Sequence, residues 1–513
     1  MIRFHRIPVF AICCALGAQA PGPDPSHLSL QDAIQIALRN NLQVDMAQQA
    51  RIQTASGTLV NEGLFDWNLA ASLQVARLDL GSTSLVAPGL PLESYRETAY
   101  NRGGAAGGPL VDVNKNFIWG GSVDLNYSST YNAYRYALVD SSGNPIPGTM
   151  GNNPVPYTGT FTATYTQNLL QGFGRTVASA PLVIAQKNAK GADYTFQAAM
   201  INLVSSTENA YWNLVYAQRY RECKQNALDL AQKLLDENTL RLQIGTMARL
   251  DVISAKAGMA QAKQDIIAAQ AQLDNAKDAL IRALYPNADR PATAVVASDA
   301  PTLDHIRLGE ADAIKMALDR RVELKNAQVS RDVAQLQKLV ADDKVRPTLS
   351  AFAQYDGNAN TYSALGPVNG DLGSARYPGY TLGLKFAMPI QNRAAKGNQS
   401  SARANLRSSE LSVRDQQLNV ILQVRTAVRN VAAAEEGVKA AEETRSFQQQ
   451  TLEAEQTKFK NGISTNFIVL QDMTNLDNAR IAEVQAQINY ANAVTAMEQA
   501  VGNLLEARHL EIK

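Results

Sequence analysis

The stretch AIQIALRNNLQVDMAQQAR, Ala33 to Arg51, returns without a gap as AIKMALDRRVELKNAQVSR, Ala313 to Arg331. In the same register Leu59 meets Leu339 and Leu69 meets Leu349. A second echo pairs LQIGTMARLDVISA (Leu242 to Ala255) with FKNGISTNFIVLQD (Phe459 to Asp472), and Gly245 falls on Gly462. The chain is written twice, so its architecture is one unit used twice.

Each half reads in the same order: helix, strand region, very long helix, glycine-containing turn, helix. The first half predicts helices over 30–62, 176–242 and 247–285, with strands within 65–170. The second predicts helices over 309–344, 395–460 and 464–507, with strands within 348–390. YPNADRPATAVVASDAPTLD, Tyr285 to Asp304, is rich in Pro, Ala and Asp and reads as the link. The expected organisation is an export signal over 1–20, a first repeat over 21–300 and a second over 301–513.

The helices carry a heptad signature. Val252, Met259, Ile266, Leu273 and Leu280 form one track, and Ala255, Ala262, Ala269, Ala276 and Ala283 another. Ala479, Ala486, Ala493 and Ala500 repeat the alanine track, and Leu406, Val413, Val420, Ala427, Ala434 and Ala441 line the partner helix. These are a and d positions of packed coiled coil. At 1.5 Å per residue the 176–242 helix predicts a rod about 100 Å long, a shape unsuited to enclosing a small-molecule active site.

The strand regions alternate with period two. In FDWNLAASLQV the apolar set is Phe65, Trp67, Leu69, Ala71, Leu73 and Val75. Phe161, Ala163 and Tyr165 alternate with threonines, and Tyr380, Leu382, Leu384, Phe386, Met388 and Ile390 do the same in the second half. A half-buried soluble sheet shows this period too. Of the 18 tyrosines, however, most fall beside or inside the strands, with Trp67 and Trp119 nearby, as in the interfacial girdles of membrane barrels. Trp67, Trp119, Tyr165 and Tyr380 are the expected interface aromatics. One chain offers too few strands to close a barrel, and open edges cannot stand in lipid. Several copies related by cyclic symmetry are therefore expected.

The N-terminus reads as an export signal. Arg3, His5 and Arg6 precede the apolar stretch Ile7 to Leu16, and GAQAPG supplies small residues, with cleavage after Ala20 or after Gly17. Ile12 before Cys13 is too bulky for a lipoprotein box. A mature chain keeps only Cys223, which excludes an intrachain disulfide. No later apolar run reaches the roughly 18 residues of a membrane helix. The net charge of +1 gives no reason to expect a nucleic-acid partner.

Catalytic signatures are missing. The four histidines, at 5, 27, 305 and 509, have no metal-ligand spacing. There is no P-loop, no G-x-S-x-G and no H-E-x-x-H, so neither cofactor, metal nor enzyme activity is expected. Asp342-Asp343 and Glu435-Glu436 read as solvated helix faces. YTQNLLQGFGRTV, Tyr165 to Val177, has the strand, G-x-G and helix of a dinucleotide fingerprint. Yet Val177 occupies the position that wants a small residue, and the counterpart FAMPIQNRAAKG, Phe386 to Gly397, lacks the glycines. Gly172 and Gly174 therefore read as a strand-to-helix corner.

Taken in order, LSLQDAIQIALRNN, LLQGFGR, RLQIGTMARLDVISA and KFKNGISTNFIVL resemble the TolC family of outer-membrane efflux proteins, over about 28–507. The resemblance implies an α+β membrane protein, a trimeric TolC-like channel-tunnel. Its outer-membrane antiparallel β-barrel would take about four strands per chain and continue as a long α-helical coiled-coil tunnel through the periplasm of a Gram-negative-type cell. It implies a passive exit duct of a tripartite efflux or type I secretion system. The partners would be a homotrimer in outer-membrane lipid, a periplasmic adaptor (membrane fusion protein) and an inner-membrane transporter. Gly245, Thr246, Asp251, Gly462, Ile463 and Ser464 match the periplasmic tips that meet the adaptor. For the aperture the resemblance points to Asp251, Gln471 and Asp472, although Ile468 and Gln471 stand where the family often has aspartates. The loop between strand segments is about 80 residues in the first repeat and about 25 in the second. The excess, containing GGSVDLNYSSTY (Gly120 to Tyr131), is expected to form an extracellular hairpin, with a further strand pair as the alternative. The rival class is a soluble periplasmic coiled-coil adaptor or structural protein.

Overall fold

The computed structural model describes residues 28–85, 93–103, 110–138, 142, 144, 146–148, 151–152, 157–285, 295–301, 308–361 and 377–510. The export signal expected over 1–20 lies outside the described residues. Helices α1 (Leu30–Asn40) and α2 (Leu42–Glu62) lead into β1 (Asn68–Ala71), β2 (Gln74–Leu85), β3 (Glu93–Gly103), β4 (Val111–Asn116), β5 (Gly121–Leu138), β6 (Gly151–Asn152) and β7 (Tyr157–Asn168). The short α3 (Arg175–Ala178), the 64-residue α4 (Ala180–Gln243) and α5 (Arg249–Leu284) follow. The second half repeats the order with α6 (Glu310–Arg320), α7 (Val322–Asp343), β8 (Thr348–Thr361), β9 (Pro378–Ala387), the 68-residue α8 (Arg393–Lys460), α9 (Asn466–Val501) and α10 (Leu504–Ala507). The chain divides into two compact units, one of residues 1–48, 195–323 and 417–513, the other of residues 49–194 and 324–416.

The first unit is helical. The expected continuous helices 30–62 and 309–344 are each broken, at Asn41 and Arg321, which are aligned in the repeat and both extended in ψ. Asn41 Nδ2 donates to the Ala283 carbonyl at 3.0 Å, and Arg321 Nη1 to the Ala500 carbonyl at 3.2 Å. Ala283 and Ala500 are themselves equivalent, so each repeat closes the end of its returning helix with the residue that breaks its first one. Such carbonyls have no partner within their own helix.

Heptad packing builds the core. Val252, Ala255, Ala269, Leu273 and Leu280 are buried on α5, as are Val420 and Ala427 on α8. Alanines at Ala33, Ala37, Ala313 and Ala317 are almost fully enclosed, which lets backbones approach closely. Two charged groups within this core are held by close partners. Glu208, fully buried, accepts from Arg508 Nε at 2.7 Å and from Thr495 Oγ1 at 2.6 Å. Lys224 reaches Asp477 at 2.6 Å. Where described, the inter-repeat segment is clasped: Leu28 bridges to Ala297, and the Tyr211 hydroxyl donates to the Leu28 carbonyl at 2.9 Å.

The second unit carries the antiparallel sheet. Its hydrogen-bonded path runs β1-β4-β5-β7-β8-β9, with β3 pairing β2 and β5, and β6 pairing β5. Residues 120–131 do not form a separate hairpin. Gly121–Tyr131 of β5 pairs Tyr157–Gln167 of β7 in unbroken register, and its lower part pairs β4 on the other side. Residues 120–131 therefore pair within a sheet whose path runs through six strands. Two-sided pairing satisfies every second backbone group that an isolated hairpin would leave to solvent.

Candidate functional site

The turn between α4 and α5 closes on Gly245, at φ +77°, and that between α8 and α9 on Gly462, at φ +73°. Thr246 N donates to the Arg241 carbonyl at 2.9 Å, and Ile463 N to the Lys458 carbonyl at 2.9 Å. Both are Schellman closures, for which a residue with positive φ is required. Ser464 donates a short hydrogen bond to Glu455, which also takes Lys458 Nζ at 3.0 Å. The Ser464 bond holds the Glu455 carboxyl below the usual carboxylate range, with Lys458 adding to it.

The two tips are tied to each other. Buried Asn238 donates from Nδ2 to Asn466 Oδ1 at 2.8 Å, and Asn466 Nδ2 donates to the Asp251 carbonyl at 3.2 Å. Arg241 lies over the Phe459 ring at 4.8 Å, and Phe459 is buried with Leu234, Leu452, Val469 and Leu476. Asp251 therefore contributes its backbone to this tie. Its carboxylate lies in the first turn of α5, where the helix dipole favours negative charge. Gln471 is exposed and Asp472 half-buried, and Asn475 joins them: Gln471 donates to it at 3.2 Å and it donates to Asp472 at 3.4 Å. Ile244 (67% exposed), Leu250 (71%), Ile463 (77%) and Phe467 (73%) leave both tips apolar at the surface.

The sequence alone does not single out Asn238, Arg241, Glu455 and Asn466. Asn238 was detectable in principle: a lone asparagine in a coiled-coil seam is a common register device. The others are ordinary helix-surface residues until the second hairpin is placed beside them.

At the corner, Gly172 has φ +76° and Gly174 φ +91°. Gly172 N donates to Asp343 Oδ2 at 2.7 Å, and Gly174 N to the Trp119 carbonyl at 3.2 Å. These amides already have protein acceptors, as a corner requires and a phosphate cradle would not. Asp343, expected on a solvated face, is instead buried because it holds this turn.

The aromatics sort by height on the sheet. Trp119 Nε1 donates to the Tyr165 hydroxyl at 3.4 Å, and Lys115 lies 5.1 Å from the Trp67 ring. Lys115, Val123, Tyr165, Ala353 and Leu382 are register neighbours, so Trp67, Trp119 and Tyr165 gather at one end of the sheet. Tyr380 sits in the next apolar row, its ring 5.5 Å from that of Tyr355. No group of metal-ligating side chains occurs among the described residues.

A sheet with an exposed apolar face, joined in sequence to two matched coiled-coil hairpins, is the build of an outer-membrane channel-tunnel. The chain belongs to the outer membrane efflux protein family, whose match covers residues 122–284 and 313–503. It is 24% identical over 218 residues to outer membrane protein TolC of Salmonella enteritidis; that stretch is 41% of this chain and 42% of the relative. The fold is similar to the CmeC outer membrane channel of Campylobacter jejuni, with a TM-score of 0.66 and 15% identity, over 93% of this chain and 86% of that one. It is also similar to the outer membrane protein VceC of Vibrio cholerae, with a TM-score of 0.63 and 17% identity, over 92% and 96%.

Proposed function

We propose that the protein is the outer-membrane channel of a tripartite efflux or type I secretion system. It acts as a passive exit duct, assembled as a homotrimer, that spans outer membrane and periplasm. The observation that carries this reading is the exposed apolar face of the sheet. Leu69, Leu382 and Phe386 are 73%, 83% and 64% exposed, on strands where Asn68, Thr381 and Lys385 occupy the opposite face. Such a face is at home in lipid and costly in water.

The apolar tips are the surface offered to a periplasmic adaptor, which in turn engages an inner-membrane transporter. Gly245, Thr246, Gly462, Ile463 and Ser464 shape them, while Asp251, Gln471 and Asp472 line the approach to the aperture. Residues 1–20 serve as the export signal, and 21–300 and 301–513 are the two structural repeats. The test is purification from outer membranes, mass measurement in detergent and conductance in a planar bilayer. A trimer with conductance is expected; a fully soluble protein, or a monomer without conductance, overturns the reading.

A further inference from the structure

We infer that each chain lends six strands to the membrane barrel, so that a trimer closes eighteen strands, three copies of a six-strand path. This rests on the channel reading above and goes beyond the four strands per chain that the resemblance implies. The extra pair is supplied by the first repeat alone, between α2 and β5.

The reason lies in the register. One row of paired residues crosses the whole sheet as Leu69, Val113, Leu125, Ala163, Tyr355 and Tyr380. The row beside it reads Asn68, Asn114, Asp124, Thr164, Gln354 and Thr381. The first is apolar in every strand and the second polar in every strand. On the polar side Asn68 Nδ2 donates to Asn114 Oδ1 at 3.3 Å, and Thr162 Oγ1 to Asp356 Oδ1 at 2.8 Å. The apolar row continues onto β1 and β4 without changing face. A hairpin standing in water beyond the bilayer would have no use for that continuity, since its outer face would be free to be polar.

The edges point the same way. Among the described residues β1 pairs only with β4 and β9 only with β8, so each keeps one edge without a strand. In hydrocarbon those backbone groups must be satisfied. A second copy of this chain provides the complement, because β1 and β9 run in opposite directions across an antiparallel path and carry the same polar and apolar faces. Joining β9 of one copy to β1 of the next continues the meander and closes it after three copies. Barrel diameter grows roughly linearly with strand number, so eighteen strands give a barrel about 1.5-fold wider than twelve, in the range that leaves an open aqueous lumen.

The test uses the full chain in liposomes with Cys223→Ser as background and nitroxide labels on single cysteines. Leu69→Cys and Val113→Cys are expected to be relaxed more by oxygen than by an aqueous nickel chelate, and Asn68→Cys and Asn114→Cys the reverse. If all four are relaxed chiefly by nickel, the extra pair lies outside the bilayer and the inference falls. Leu382→Cys and Thr381→Cys on β9 separate this from failure of the channel reading: loss of the contrast there overturns both. Independently, Asn68→Cys combined with Thr381→Cys or Lys385→Cys should give interchain disulfides and a ladder up to trimer. Cross-linking of the β9 cysteines to Asp124→Cys on β5, and not to Asn68→Cys, overturns the six-strand barrel.

Discussion

The carbonyl oxygen of Gly172 occupies the space a side chain on Gly120 would need: a Cβ built on Gly120 falls 2.1 Å from it. Gly120 also has φ +88°. The turn from β4 to β5 and the corner from β7 to the helices are thus pressed backbone to backbone. Gly120→Ala is expected to cost about 3 kcal/mol or more, from strain and overpacking together. Gly174→Ala meets open space and carries only backbone strain, roughly 1–3 kcal/mol. Heat-induced dissociation of the assembled protein on semi-native gels should rank them in that order.

The tip glycines test backbone shape without crowding, because a Cβ at Gly245 or Gly462 meets nothing within 4 Å. Asparagine tolerates positive φ, whereas a β-branched residue resists it. Gly245→Asn and Gly462→Asn should keep export near wild type, while the valine variants should impair it with the trimer intact. A valine variant that fails to assemble would reassign these glycines to folding.

Asn238 and Asn466 couple the two hairpins through one buried hydrogen bond. Removing either partner strands the other, at about 1–3 kcal/mol. Asn238→Ala and Asn466→Ala should each lower the denaturation midpoint, and the double variant should cost less than their sum. A strictly additive cycle would show that the pair does not interact in solution.

Glu455 makes the second tip sensitive to acid. Its folded pKa is lowered, first by Ser464 and then by Lys458. The stabilisation is fully present above the ordinary carboxylate value of about 4.3 and is lost as pH falls through the lowered folded value. Hydrogen exchange at Gly462 to Thr465 should stay slow at neutral pH relative to Glu455→Gln, and the difference should vanish in strong acid. Exchange in the wild type that matches the variant at pH 7 would refute the link.

Tyr211 marks the alkaline limit. Burial pushes its phenol up to about 12, with the Asp299 charge also raising it. A raised folded pKa gives stability that is complete below the unfolded value near 10 and declines as pH rises toward the folded one. Tyr211→Phe should lose about 1–2 kcal/mol at neutral pH, from the bond to the Leu28 carbonyl. Thermal melting of the wild type should show stability declining between pH 10 and 12, and the variant should lack that decline; an unchanged decline would assign it to other groups.

Much of this architecture was legible in residue order. The gapless repeat placed Gly245 on Gly462, and both turns close with the same Schellman bond. The heptads located the buried face of α5 before any neighbour was known. Asn41 and Arg321 were harder, because both lie inside good helical patterns. The break is favoured by a carbonyl on another helix, at Ala283 or Ala500, which no local pattern contains. Asp343 reads as solvated in the sequence for the same reason: its partner, Gly172 N, is distant in sequence.

Residue order alone specifies the helical segments apart from the breaks at Asn41 and Arg321, the places where the hairpins turn and the apolar faces of the alternating strands. These follow from side-chain spacing, propensity and glycine geometry, all local quantities. Which strands are neighbours, that β5 lies inside the sheet and that Asn238 meets Asn466 emerge only from the folded chain. Alternation encodes a face but not a partner, since every residue offers the same backbone donor and acceptor to any strand. The choice among strands is made by the joint register of six of them, and the choice at the tips by two hairpins packed together.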